Sequence, residues 1–268
     1  TEVEVLALTP AAFAQLQTYR DNQEALAQCP PLGEQVSVDA VAVAAVVDHA
    51  LSEGREWLSE PEAKAVLAAC GVPVAGTRTV PPDADAAAAA ARELGLPAVL
   101  KILSPQITHK SDVGGVALNL DTEAAVAEAA RQMLVRVARL QPTARIEGFT
   151  VQPMVRRPRA LELIVGASLD PLFGPVILFG EGGTAVEVLA DRALALPPLN
   201  RPLAALLVRR TRVAKRLAGW RDVPPADAAA VERVLVAVSE LLAAEPRITE
   251  LDINPLLADA AGVLALDA

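Results

Sequence analysis

Apolar side chains recur at three- and four-residue intervals in two long stretches of the chain. Val126, Ala130, Met133, Leu134 and Val137 form one row, and Val231, Val234, Leu235, Val238, Leu241 and Leu242 form the other. That spacing puts one apolar stripe on each α-helix, and a stripe of this kind needs a sheet to cover it. Shorter runs at 98–103, 148–154, 161–167, 175–179, 248–257 and 263–267 have the length and β-branched content of strands. Helices and strands are intermixed, and several strands are close enough in sequence to pair as hairpins. The pattern predicts an α/β fold with mixed or antiparallel sheets.

Stop and start signals sharpen these elements. Ser59 is placed to cap a helix through Glu62 and Leu67, which Gly71 ends before the extended Val72-Pro73-Val74. Pro81 and Pro82 make a turn ahead of the alanine-rich helix 83–94, closed by Gly95. Upstream, helical stretches at 10–26 and 38–53 flank Cys29-Pro30-Pro31-Leu32-Gly33, where the proline rings exclude helix. Residues 1–58 therefore read as a helical connector, followed by lobes at 59–155 and 156–268. There is no tandem repeat, and the apolar run at the C-terminus together with the missing initial Met predicts a piece of something longer.

With 33 acidic against 24 basic side chains, the net charge of −9 disfavours a broad grip on nucleic acid or anionic lipid, so any phosphate site must be local. No window is apolar enough for a membrane span, and the N-terminus lacks the basic start of a secretory signal, which predicts a cytoplasmic protein. Cys29 and Cys70 sit in no CxxC or Cys/His cluster and read as small buried hydrophobes, while His49 reads as structural.

Three places offer chemistry. Only four lysines occur against twenty arginines, and Lys101 and Lys110 flank the segment 104–115, which ends in Gly114 and Gly115. A lysine inside a strand is either a point charge for a phosphate, with free loop N–H groups beside it, or a side chain snorkelling from a strand end. His109, between a lysine and the glycine pair, has access for acid, base or phosphoryl-acceptor work, or is an ordinary loop histidine. In the segment 248–255, Glu250, Asp252 and Asn254 share one strand face at intervals of about 7 Å, an oxygen-rich row suited to Mg²⁺ or simply a polar outer face. Pro255 is expected to end that ladder, and a returning strand at 262–267 would bring Asp267 beside the row. The third place, Gly180-Glu181-Gly182-Gly183-Thr184-Ala185, matches GxGxxA only superficially, because no clean βαβ unit surrounds it.

Taken in order, Ser59-Glu60-Pro61-Glu62-Ala63-Lys64, Gly71-Val72-Pro73-Val74, Val99-Leu100-Lys101-Ile102, Thr108 through Val116, Val151-Gln152-Pro153-Met154-Val155, Asp170 through Pro175, Phe179 through Gly183 and Leu251 through Leu256 resemble the ATP-grasp part of ADP-forming acyl-CoA synthetases, relatives of the succinyl-CoA synthetase β subunit. The resemblance covers residues 59–268 and implies a two-lobed fold that clamps nucleotide between two sheets. It implies that Lys101, with Gly114 and Gly115, holds ATP or ADP phosphates, that Gln152 and Val155 lie at the hinge near adenine, and that Glu162 reaches the ribose. By the same resemblance Asn254 and Asp267 ligate Mg²⁺, Asp252 steadies a phosphohistidine, and His109 carries the phosphoryl group between sites. Residues 1–58 resemble the linker to a CoA-binding part, in cis or as a subunit of a hetero- or homo-oligomer, and some relatives are fused to a lysine acetyltransferase. Two other functions stay open: a nucleotide-sensing regulatory module, and a carboxylate-amine ligase on the same fold.

Overall fold

The computed structural model describes residues 10–27, 36–107, 110–183, 191–219, 221 and 223–268. Two antiparallel sheets organise them. The first has strands β1 (Arg78–Val80), β2 (Ala98–Leu103), β3 (Val116–Leu120) and β4 (Gly148–Pro153) in the order β1-β4-β2-β3. The second has β5 (Leu161–Asp170), β6 (Gly174–Glu181), β7 (Arg192–Ala195), β8 (Glu250–Asp259) and β9 (Gly262–Ala265) in the order β7-β6-β5-β8-β9. The antiparallel half of the expectation is the one realised.

Each sheet has its own core. Helices α4 (Ala84–Leu94) and α5 (Glu123–Leu140) cover one face of the first sheet, where Leu100, Ile102, Met133, Phe149 and Val151 are fully enclosed. Both helices follow local rules: Asp83 and Thr122 accept from the N–H groups of Ala86 and Ala125, and Gly95 leaves α4 at φ 105. The second sheet is covered by α6 (Arg201–Arg209), α7 (Val213–Leu217) and α8 (Ala228–Ala244), around Leu163, Phe179, Leu235, Leu241 and Ile253. Burying each such side chain contributes about 2 kcal/mol, so the two cores are substantial on their own terms.

Strand alternation then decides where polar side chains go. On β2, Leu100 and Ile102 turn to the helices, so Val99 and Lys101 turn to the opposite face; on β4, Phe149 and Val151 do the same and send Thr150 and Gln152 across with them. Lys101 is paired in register with Thr150 and Val99 with Gln152, so Lys101 and Gln152 share one face on adjacent strands.

Two helices precede the sheets, α1 (Pro10–Leu26) and α2 (Ala40–Ser52), and Val43 of α2 enters the second core. Helix α3 (Glu60–Ala69) bridges the two sheets. Its Val66 and Leu67, with Cys70 just beyond, belong to the second core, while its first turn reaches the face of the first sheet that carries Lys101. The chain after α3 is pinned to β9 by Ala75 N–H donating to Ala265 C=O at 2.8 Å and Ala265 N–H to Pro73 C=O at 2.8 Å. This clasp sets the chain end, Asp267, beside α3 and β2.

Pro255 does not end its ladder as expected. Strand β8 continues to Asp259, with Leu256 opposite Leu163 and Ile253 opposite Val165. One residue of β5 therefore faces two of β8, Asn254 and Pro255, and this bulge lets a residue without an N–H sit inside a strand. Cys70 is buried as expected, which pushes its thiol up to about 11, and His49 is exposed on α2, with Nε2 3.9 Å from Glu53. Cys29 lies outside the described residues. Among those residues no helix is long and apolar enough to cross a membrane.

Candidate nucleotide site

Three of the chain's four lysines converge on one carboxylate. Glu60 Oε1 accepts from Lys101 Nζ at 2.7 Å, Gln152 Nε2 at 2.6 Å and Lys64 Nζ at 3.0 Å, and Glu60 Oε2 faces Lys110 Nζ at 3.5 Å. Lys101 also donates to Asp267 Oδ2 at 3.0 Å, and Lys64 donates to Thr77 Oγ1 at 3.1 Å. Glu60, Lys64, Lys101 and Gln152 are all buried, whereas the Asp267 side chain is 40% exposed.

Local sequence explains the convergence. Glu60 opens α3 behind the Ser59 cap, and Lys64 stands one turn later on the same face, a spacing that favours Glu before Lys. The start of the helix is fixed further by Glu62, whose Oε2 accepts from Ser59 N–H at 2.7 Å and whose carboxylate takes a two-pronged bond from Arg55 at 2.6 and 2.8 Å. Lys110 is brought in by a single 3₁₀ turn, Lys110–Val113. That turn closes on the glycines: Gly114 N–H donates to Ser111 C=O at 3.0 Å and Gly115 N–H to Lys110 C=O at 2.7 Å. The N–H groups of Gly114 and Gly115 are thus used inside the turn rather than left free for a phosphate. Gly115 is needed because a Cβ there would lie 2.9 Å from Lys110 C=O, and Gly114 because its φ is 64.

Burial pushes the Glu60 carboxyl up, but Lys101, Lys64 and Lys110 outweigh it and hold the group at about 2. Glu62 is likewise raised by burial and, more strongly, lowered by Arg55 and Ser59, again to about 2. Both sit below the ordinary value of 4.5, so the unfolded chain binds more protons than the folded chain between those limits. The stability they contribute is complete above about pH 4.5 and disappears as the pH falls toward 2. Urea titrations from pH 6 to 3 should show the midpoint falling steadily, and Glu62→Gln should lower the midpoint at pH 7 while flattening that fall. An unchanged acid slope in Glu62→Gln would show that the pairing with Arg55 contributes nothing.

The oxygen-rich row is linked to Lys101 through Asp267, which bonds the lysine and whose charge acts on Asp252. Glu250 and Asp252 point outward from β8, with Ile253 inward, as alternation requires. The Asp252 carboxyl is pushed up by burial, then by the charges of Asp267 and Glu250. A carboxylate raised by neighbouring carboxylates is stabilised by a cation, and two carboxylates with an amide are the hard oxygen donors that Mg²⁺ prefers. These donors are of the chemical kind Mg²⁺ takes, although Asn254 Oδ1 accepts from Gly183 N–H at 3.2 Å and, among the described residues, no three His, Cys, Asp or Glu side chains are grouped to hold a metal by themselves. Glu162 is exposed on β5 beside Gly183, and Val155 is half-buried just past β4. His109 and Thr108 lie outside the described residues.

Sequence reasoning grouped Lys101 with the row at 250–254 and with Asp267, and the fold places these around one corner between the two sheets. It passed over Glu60, Lys64 and the role of Gln152 as a donor to Glu60. A signal was present: in a chain with twenty arginines, a lysine four residues after a glutamate at a helix start departs from the prevailing choice of cation.

Comparison with known proteins agrees with this arrangement. Residues 49–268 match the ATP-grasp domain family. The chain is 37% identical over 232 residues to the β subunit of ADP-forming acetate–CoA ligase I from Pyrococcus furiosus, covering 86% of this chain and 98% of that one. It is 38% identical to ADP-forming acetate–CoA ligase I from Archaeoglobus fulgidus, where it spans 33% of the longer protein. Among solved structures, the dinucleotide-forming acetyl-coenzyme A synthetase 1 of Candidatus Korarchaeum cryptofilum, in complex with coenzyme A, Ca-AMPCP and HgCl⁺, superposes with a TM-score of 0.79 at 37% identity, covering 83% of this chain and 96% of that one. The same enzyme with coenzyme A and Mg-AMPPCP, its phosphohistidine segment pointing towards the nucleotide binding site, gives 0.72 at 33% identity, covering 84% of this chain and 97% of that one. The match to the family model over residues 49–268, together with the identity along nearly the whole length of such a subunit and the shared two-sheet fold, shows that the chain belongs to the ATP-grasp family, among the β-subunit-type domains of ADP-forming acyl-CoA synthetases.

Proposed function

We propose that this chain is the nucleotide-binding, phosphoryl-transferring half of an ADP-forming acyl-CoA synthetase. With a CoA-binding partner it interconverts acyl-CoA, ADP and phosphate with acid, CoA and ATP, in the cytoplasm. The observation that carries this reading is Lys101, a buried ammonium set between two sheets and held 3.0 Å from the exposed carboxylate of Asp267.

On the partner, an acyl phosphate passes its phosphoryl group to a histidine nitrogen: the P–N bond forms as the P–O bond breaks, and the carboxylate leaves as free acid. At this chain a β-phosphate oxygen of ADP attacks the phosphorus, the P–N bond breaks, and its electron pair returns to the imidazole. Such a transfer asks the protein mainly for alignment and neutralisation of charge. Lys101 neutralises phosphate oxygens and Asp252 orients the incoming phosphohistidine. Gln152 and Val155 border the adenine side and Glu162 the ribose side. Asn254 and Asp267 are the residues that would hold Mg²⁺, which when bound withdraws charge from the phosphates. His109 serves as a relay for the phosphoryl group on this chain.

Calorimetry with MgADP and MgATP on the 268-residue chain, followed by an acyl-CoA assay after adding a CoA-binding subunit, tests the proposal. Binding in micromolar to millimolar range and turnover only with both parts is the expected result. Absence of binding removes the proposal, and binding without turnover assigns the chain to nucleotide sensing instead.

A further inference from the structure

Glu60 has no part in the reaction just described, yet it has more charged neighbours than any other group at the site. Its Oε1 ties β2, through Lys101, and β4, through Gln152, to α3, where Lys64 one turn further on bonds the same oxygen. Helix α3 is seated by Val66 and Leu67 in the core of the second sheet, so this one oxygen joins the second lobe to the phosphate-binding face of the first.

The carboxylate is 4% exposed. A charge so enclosed is tolerable only with counter-charges in contact, and the three ammoniums supply them. The dependence runs the other way as well. Lys64 is 3% exposed, and burial pushes its ammonium below the usual lysine range, with the Lys101 charge adding to the push and Glu60 opposing it. Without Glu60, Lys64 and Lys101 would face each other with no fixed negative charge between them. Asp267 cannot replace it, because it is only half-buried and is proposed above as a metal ligand.

We infer that Glu60 is a positioning residue for the nucleotide phosphates: the permanent counter-ion that holds Lys101 in place on β2 and locks α3 to Gln152, while Asp267 is the exchangeable partner of the same lysine. The inference rests on the nucleotide site proposed above and deepens it.

The test measures MgADP and adenosine binding to the chain and to its Glu60→Gln, Glu60→Asp and Lys101→Met variants. Glutamine preserves shape and a carbonyl acceptor but removes the charge. Glu60→Gln is expected to weaken MgADP at least about tenfold, the usual scale for losing an outer partner of a binding group, while adenosine, which lacks phosphates, changes by less than about twofold. Glu60→Asp should recover most of the MgADP affinity. Equal losses for MgADP and adenosine, or tighter MgADP binding in Glu60→Gln, would overturn the inference and leave the nucleotide site standing. Full MgADP affinity in Lys101→Met would overturn both. If Glu60→Gln does not fold, Glu60→Asp carries the test alone: with the charge kept and the reach shortened, MgADP should bind only slightly more weakly than to the wild-type chain and adenosine should be unchanged, and an equal effect on the two overturns the inference.

Discussion

Lys101→Met should raise the Kd for MgADP by about 100-fold and simultaneously make the chain easier to unfold. The ammonium offers charge-assisted hydrogen bonds to phosphate oxygens, each worth about 1.5–3 kcal/mol, and two such bonds at the low end of that range amount to roughly two powers of ten in affinity. Methionine keeps the length and apolar stem of the side chain, so the loss is one of charge and donors. The effect on stability has a separate origin. Removing one partner of a buried ion pair typically costs about 3–5 kcal/mol because the other charge stays behind, and the lower end applies because Lys64, Lys110 and Gln152 still surround Glu60. Calorimetry reads the first effect and urea unfolding the second. The two are linked, since nucleotide at 100 times its Kd stabilises the wild-type chain by about 2.7 kcal/mol, a gain the variant should not show at the same concentration. Wild-type MgADP affinity in Lys101→Met would contradict the site, even if the fold were weakened.

How much of this corner could be read from the sequence depended on whether the signal was local. Lys101 was legible because a lysine in an otherwise apolar strand conflicts with the pattern around it. The outward face of Glu250 and Asp252 was legible because strand alternation has a fixed period of two. The cap at Ser59 and the termini of α4 and α5 follow from single residues and their immediate neighbours. Glu60 was not legible in the same way. As an acid in the first turn of a helix it has an adequate local explanation in the helix dipole, and its contacts with Lys101 and Gln152 span 41 and 92 residues of sequence. Nothing in a period or a cap reports such a contact.

The short elements were lost for a related reason. Strands β1 and β7 have three and four residues and lie at sheet edges, too short to display any alternation. Helix α6 was missed although Asn200 caps it by accepting from Leu203 N–H at 2.9 Å, because the prolines at 197, 198 and 202 read first as breakers. At Pro255 the sequence rule was sound but incomplete: a proline cannot donate within a ladder, and the bulge opposite β5 removes the demand that it should. The glycine pair at 114–115 stood out in the sequence, but not the use of its N–H groups, which close the turn that delivers Lys110.

Asp267→Asn should separate the two tasks that meet at Asp267. Its carboxylate is bonded to Lys101 at 3.0 Å and raises the neighbouring Asp252. In the proposed site, nucleotide would draw the charge of Lys101 to phosphate and Mg²⁺ would draw that of Asp267, so each would give up the other in favour of a new partner. Without metal, that exchange leaves Asp267 and Asp252 facing the phosphates with no cation between them, which makes ADP alone a poor ligand of the wild-type chain. Replacing the carboxylate by an amide removes one repulsive charge and one metal ligand together. MgADP is therefore expected to weaken by at least about 10- to 100-fold, the range for loss of even an outer partner of a metal ligand, while ADP in the presence of a chelator binds no worse than in wild type and should bind better. The ratio of the two Kd values, large in the wild-type chain, should shrink toward one. The variant should fold, because Asp267 is 40% exposed and Lys101 keeps Glu60. A variant that retains the full preference for MgADP over ADP would remove Asp267 from the metal and leave its bond to Lys101 as a structural ion pair. A variant that loses both forms equally would place Asp267 in the support of Lys101 alone.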